Sequence, residues 1–212
     1  MIRWLNTIRI PKKSKKLAVE IICSLLILLL GVGLGIFSKW LDNLSLDSTI
    51  LWHRLLGILD LRNVFSDFAI WFLIALAVAI YSRSPFKAGL NVFLFFAGMC
   101  LSYHIYTVIF SGFNPLSYMM IWYALTIVSP FLALVCWYGK GRTVPSAVID
   151  VLIFTVMIQC CFSVGLWYFD FTSLINILIF AASALILYST PKQTLISLAG
   201  AVILAFMISA VY

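Results

Sequence analysis

Long apolar runs separated by short polar turns dominate this chain of 212 residues. Each run approaches the roughly 20 residues that an α-helix needs to cross the hydrocarbon core of a bilayer. Seven transmembrane spans are predicted, at residues 18–37, 64–82, 87–110, 116–138, 145–168, 172–189 and 193–211. The last two runs are the shortest, so six spans with a re-entrant hairpin is the alternative.

Turn residues and charges interrupt these runs at 82–85, 111–115, 139–142 and 190–192, as expected where helices end. The sequence Gly-Lys-Gly-Arg at 139–142 lacks the upstream glycine and the Ser or Thr of a phosphate-binding loop. We therefore expect a flexible basic turn there.

One connection, between the first two runs, is longer than the others. Its apolar residues at helical spacing are Leu51, Trp52, Leu55, Leu56 and Leu59. This pattern predicts an external amphipathic helix over about 47–60, with Asp47 or Ser48 as N-cap, lying in the membrane interface. A lid over an external cavity is the functional alternative.

The composition excludes a soluble globular protein. Hydrophobic residues make up 64% of the chain and charged residues only 10%, whereas soluble domains average about 25% charged residues. The fold predicted is therefore an all-α integral membrane protein, a compact bundle of seven (alternatively six) transmembrane helices. Its domains are a basic tail, residues 1–17, and a single transmembrane domain, residues 18–212.

The positions of the charges behind the net charge of +7 predict how the chain is oriented in the membrane. The tail and the second, fourth and sixth loops hold eleven Lys and Arg residues, and the remaining loops hold three. Cytoplasmic loops carry such an excess. We expect a multi-pass protein of the cell membrane, bacterial by its compactness, with a cytoplasmic N-terminus near anionic lipid and an external C-terminus. Nucleic acid is not an expected partner.

A few polar residues inside the runs are the candidates for ligand binding or ion coupling, because ionisable groups at membrane depth are costly and usually face a cavity or a partner. The candidates are Asp67, Asn91, Tyr103, His104, Tyr106, Asp150 and Gln159. Asp67 and His104 are expected at similar depth, where such a pair would bind a cation or relay protons. For Asn91 and Gln159 the alternative is a hydrogen bond between helices.

Helical phase separates these candidates. Asn91 and His104 fall on opposite sides of the third run, at about 100° per residue. In the fifth run Thr155, Gln159 and Ser163 form one stripe, and Asp150 lies away from it. The pattern favours two polar layers over one central site.

Small residues predict close helix packing. Gly31 and Gly35 form a GxxxG pair, and Ala201 and Ala205 belong to a small-residue stripe in the last run. The five cysteines lie in apolar runs without metal-ligand spacing, so neither a metal nor a cofactor is predicted.

Three functions remain open on the sequence. The first is a membrane-embedded binding or transport protein for a small, largely apolar or aromatic molecule, with the aromatic third run as its pocket. The second is a non-catalytic accessory, assembly or immunity-type protein that acts through a membrane protein partner. The third is a lipid-modifying enzyme using Asp67, His104 or Asp150, although the chain carries no recognisable catalytic motif.

Overall fold

The computed structural model describes residues 2–13, 16–45, 49, 51–165, 167–171 and 173–211, and it is 81% helical. The helices in these residues are α1 (Ile2–Ile8), α2 (Leu17–Asn43), α3 (Leu51–Ile58), α4 (Leu61–Ser66), α5 (Phe68–Tyr81), α6 (Pro85–Tyr106), α7 (Leu116–Gly139), α8 (Val144–Cys161), α9 (Leu174–Leu187) and α10 (Pro191–Ser209). A π-helical turn, Thr107–Ser111, continues α6.

Five of the described helices are long and apolar enough to cross a membrane: α2, α6 with its π-helical turn, α7, α8 and α10. This set fits the predicted helical membrane bundle. Helices α5 and α9 are apolar but have only 14 residues each. At 1.5 Å per residue each rises about 21 Å, less than the roughly 30 Å of a hydrocarbon core.

The first run, predicted to end at residue 37, stays helical to Asn43, and two other predicted runs are interrupted by non-helical backbone. The run at 64–82 breaks at Asp67, whose extended backbone precedes α5. The run at 145–168 stops being helical after Cys161 and continues as a short antiparallel hairpin of β1 (Ser163–Val164) and β2 (Phe169–Asp170). Apolar content alone does not distinguish a helix from a short strand. The predicted polar stripe on α8 therefore loses Ser163.

The predicted amphipathic segment forms two short helices, α3 and α4, divided at Asp60, whose φ of 47° is left-handed. Its N-cap candidates, Asp47 and Ser48, lie outside the described residues. The apolar side chains Leu51 and Ile58 are exposed, and His53 is buried with 8% of its surface accessible. An outward apolar face suits a helix that lies in a membrane interface.

The chain divides into two compact units. Unit 1 is Met1–Lys12, Asp67–Ala88 and Ala133–Tyr212, and unit 2 is Lys13–Ser66 and Gly89–Leu132. The boundary falls within α6 and α7.

Within unit 1, α8 packs on α10 and α9, and α5 packs on α9. Ala201 and Ala205 of α10 are fully buried. Gln159 of α8 donates to the Ala205 carbonyl at 3.1 Å, and Ser197 of α10 donates to the Ala147 carbonyl at 3.3 Å. Small side chains thus let the two helix backbones approach closely enough for such bonds.

Within unit 2, α2 lies against α6 through Gly31 and Gly35. A Cβ atom at Gly31 would overlap the Phe95 carbonyl oxygen, and one at Gly35 would overlap that of Met99. Gly33, on the same helix, has nothing within 4 Å of a Cβ position. The contact between α2 and α6 therefore depends on Gly31 and Gly35 and not on Gly33.

We predict that Gly35→Ala lowers the free energy of unfolding by about 1–3 kcal/mol, the usual cost of overpacking, because the added methyl group must separate α2 from α6. Thermal unfolding in mild detergent measures it. Gly33→Ala is the matched control and should be neutral or slightly stabilising, since alanine is the better helix former. Equal effects of the two substitutions would contradict this packing.

Candidate functional site

A groove of about 270 Å³ lies within unit 2, and it is lined by Leu101, His104, Ile105, Val108, Ile109 and Tyr123. Leu101, Ile105 and Ile109 are each more than half exposed. The groove is therefore open along the outer face of α6 and its π-helical turn, with an apolar wall.

Two polar side chains, His104 and Tyr123, line the groove and form a hydrogen-bonded chain with Asn114. His104 Nδ1 lies 2.5 Å from Tyr123 Oη, and His104 Nε2 lies 2.9 Å from Asn114 Oδ1. Because an amide oxygen only accepts, Nε2 carries the imidazole proton and the Tyr123 hydroxyl donates to Nδ1. The Tyr123 oxygen thus keeps acceptor lone pairs at the groove.

Local backbone geometry brings these groups together. The π-helical turn Thr107–Ser111 follows α6 directly, and Thr107 Oγ1 donates to the Tyr103 carbonyl at 2.8 Å. Gly112, with a φ of 72°, then reverses the chain into the left-handed region that glycine tolerates. The reversal returns Asn114 to His104. Single π-helical turns are frequent at functional sites.

The two predicted site tyrosines do not line this groove. Tyr103 donates to Asp42 Oδ2 at 2.9 Å, beside an ion pair of 3.7 Å between Asp42 and Lys39. Tyr106 stacks on Phe110 with ring centroids 4.4 Å apart. The sequence does not predict the Lys39–Asp42 pair, because the first predicted run ends at residue 37, before both charges. The i, i+3 spacing of the two charges was the available signal.

Asn91 and His104 lie on opposite sides of α6. Asn91 Oδ1 accepts from Ser24 of α2 at 2.8 Å, whereas His104 bonds Tyr123 of α7. Asn91 thus makes a bond between helices of the kind that stabilises membrane bundles.

Asp67 is exposed in unit 1, at the start of α5. The hydrogen bonds of both His104 ring nitrogens are made inside unit 2, to a phenol and an amide. His104 therefore forms a polar chain with Tyr123 and Asn114 within unit 2.

A second polar region lies at one end of unit 1, where Arg9 bonds two helix C-termini. Its guanidinium donates to the carbonyls of Ile80 at 2.8 Å and Trp137 at 2.5 Å, and it lies 4.2 Å from the Trp137 ring centroid. The last carbonyls of a helix lack intrahelical partners and carry partial negative charge. Arg9 therefore satisfies the ends of α5 and α7.

The Gly-Lys-Gly-Arg turn at 139–142 is held by hydrogen bonds, contrary to the flexible turn expected. Gly141 N donates to Ser146 Oγ at 2.8 Å, and the Gly141 carbonyl accepts from Gln193 at 3.1 Å. Lys140 Nζ donates to the Ile186 carbonyl near the end of α9 at 2.6 Å. Burial, followed by the charges of Arg9 and Lys12, lowers the pKa of Lys140.

Asp150 belongs to this end of unit 1. Only 2% of its surface is accessible, and its Oδ2 accepts from Gln193 Nε2 at 3.2 Å. Gln159, predicted on a different side of the same run, bonds the Ala205 carbonyl and Ser209 Oγ of α10.

No group of three or more His, Cys, Asp or Glu side chains is placed to hold a metal ion in the part of the chain that the structure describes. Comparison with protein-family models, with curated proteins and with solved structures finds no match to this chain.

We predict that Arg9→Ala lowers the free energy of unfolding by about 2 kcal/mol, a typical value for hydrogen bonds to a charged group, because two helix-end carbonyls lose their donor. Arg142→Ala removes an exposed arginine only two residues from Lys140 and should change stability by less than about 0.5 kcal/mol. Thermal unfolding of both variants in one detergent provides the comparison. A loss of equal size in both would mean that Arg9 acts only through net charge.

Proposed function

We propose that this protein binds a small, largely apolar or aromatic molecule that carries one polar group, in the groove around His104. The observation that carries the proposal is the combination of an open apolar wall with a single polar end. Binding sites for small molecules have this composition: a mostly apolar lining with a few placed polar groups.

The groove sets the size and chemistry of the ligand. Its volume of about 270 Å³ is slightly below that of most small-molecule pockets, which hold about 300–1,000 Å³. The Tyr123 hydroxyl, already donating to His104, offers acceptor lone pairs. A ligand with one donor, such as a hydroxyl or an amine, on a compact apolar body matches both features.

The exposed apolar wall of the groove suits a ligand that enters from the bilayer. Leu101, Ile105 and Ile109 would face lipid in a helical membrane bundle, so an apolar molecule dissolved in the membrane reaches the groove without crossing water. Binding for capture or transport is the function we infer from this geometry.

The groove favours binding over the two alternatives. A lipid-modifying enzyme would need a nucleophile or a water within reach of the proton-accepting nitrogen of His104, whereas that nitrogen, Nδ1, accepts from the Tyr123 phenol. An accessory protein would dock a partner by a contiguous surface patch, and a groove of this small volume suits a small molecule better.

We further propose seven spans in a cell membrane, with the N-terminus cytoplasmic. The bonds of Arg9 to the ends of α5 and α7, and that of Lys140 to the end of α9, support this topology, because they gather the N-terminal residues and the even-numbered loops at one end of unit 1. For α9, the hairpin residues before it would complete the crossing.

Photolabelling tests the proposed site. The full-length protein in lipid nanodiscs is irradiated with a diazirine-bearing alkyl phenol, and the labelled peptides are mapped by mass spectrometry. We predict labelling within 101–123, and a loss of about fivefold in affinity in Tyr123→Phe, the value of one hydrogen bond of about 1 kcal/mol.

The matched pair Ile105→Trp and Ile121→Trp makes this test selective. Both isoleucines are exposed, but only Ile105 lines the groove. Tryptophan at 105 should fill the groove and abolish labelling, and tryptophan at 121 should leave it unchanged. Undiminished labelling of the Ile105→Trp variant would refute the site.

A further inference from the structure

Asp150 is a buried acid that makes few bonds. Its Oδ2 accepts from Gln193 at 3.2 Å, and its Oδ1, also buried, has no hydrogen-bond partner in the described part of the chain. The carboxyl lies against Gly139, where an added Cβ atom would be 2.8 Å from Oδ1. The glycine therefore makes room for an acid in a packed interior.

The charged and titratable groups that face Asp150 come from two sources. Lys140, on the turn between α7 and α8, is the cation whose charge acts on the carboxyl. Cys136 of α7 is the titratable group on which the carboxyl acts in turn. The contacts from α10 and α9 are neutral: the Gln193 amide, and Leu187, which packs with Asp150 around Gly139.

Lys140 is not paired with Asp150 in this arrangement. Its ammonium donates to the Ile186 carbonyl at 2.6 Å and lies 5.3 Å from the Tyr81 ring centroid. Among the described residues, Asp150 forms no ion pair within 4.0 Å. An ionised carboxylate at Asp150 would thus be buried with one oxygen unbonded and no paired cation, which is strongly unfavourable.

We propose that Asp150 is a proton-binding site of unit 1, occupied in the arrangement described. The neutral acid carries the proton on Oδ1 and accepts from Gln193 through Oδ2. When it ionises, the proton passes to water at the half-exposed turn, and the Lys140 ammonium moves from the Ile186 carbonyl to the new carboxylate. No covalent bond other than the O–H bond changes.

This exchange links the proton to helix packing. The Ile186 carbonyl, close to the end of α9, has Lys140 as donor only while Asp150 is neutral. Loss of the proton therefore removes one of the bonds between the end of α9 and the turn at 139–142, while Ser189, just after α9, still donates to the Gly141 carbonyl at 3.2 Å. A long, flexible lysine on the turn that faces the acid is suited to such an exchange. The site is separate from the groove in unit 2, so either proposal can fail alone.

Infrared difference spectroscopy on the full-length protein in lipid vesicles tests the proton site. We predict a carbonyl-stretch band of a protonated carboxylic acid that persists above the pH at which exposed carboxyls ionise and then titrates away. The band should be lost in Asp150→Asn and retained in Asp170→Asn, which removes an exposed acid from the hairpin. Asparagine resembles the neutral acid in shape, so the protein should remain folded.

A second variant tests the partnership with Lys140. In Lys140→Gln the titration of the band should move to higher pH, because the cation that would stabilise the carboxylate is gone. Absence of any band that depends on Asp150 would overturn the proposal. A titration unmoved in Lys140→Gln would overturn the exchange of partners.

Discussion

Carbonyl groups at the ends of apolar helices must find donors away from bulk water, and in unit 1 two cations supply them. Arg9 bonds the last turns of α5 and α7, and Lys140 bonds that of α9. An unsatisfied backbone group in an apolar environment costs several kcal/mol. Arg9, the turn at 139–142 and the buried acid Asp150 lie close to these bonds.

The same constraint shapes the groove of unit 2 by different means. There α6 ends in a π-helical turn, and the chain reverses at Gly112 so that Asn114 can bond His104. The polar side chains of this irregular segment bond residues outside it: Thr107 the Tyr103 carbonyl, Ser111 the Asn43 side chain, and Asn114 the His104 ring. The Tyr123 hydroxyl keeps acceptor lone pairs for a further hydrogen bond, and exposed apolar side chains surround it.

Hydropathy predicts most of this architecture because helix formation in a membrane is a local necessity. The runs that become α2, α6, α7, α8 and α10 are read from apolar content alone. The hairpin after Cys161 was not predicted, since residues around its strands, such as Phe162, Val164 and Trp167, continue the apolar run. Nor was the role of Arg9, which looks like one more basic tail residue until the fold brings Trp137 beside it.

For the site, the sequence identifies ionisable residues but not their partners. The position of His104 inside an apolar run predicts it as a ligand-binding or ion-coupling residue. Its partners Tyr123 and Asn114 reach it only because the 107–115 segment folds back. Tyr103 was expected in a pocket and instead bonds Asp42. Such pairings depend on where helices end, and a shift of a few residues changes which face a side chain occupies.

Native mass spectrometry of the protein released directly from its own membranes tests the central claim, that the groove around His104 holds a small molecule. We predict that the wild-type protein carries one small, non-phospholipid molecule that is absent from Ile105→Trp and retained by Ile121→Trp. Bare protein in all three cases, or the same adduct in all three, would contradict it.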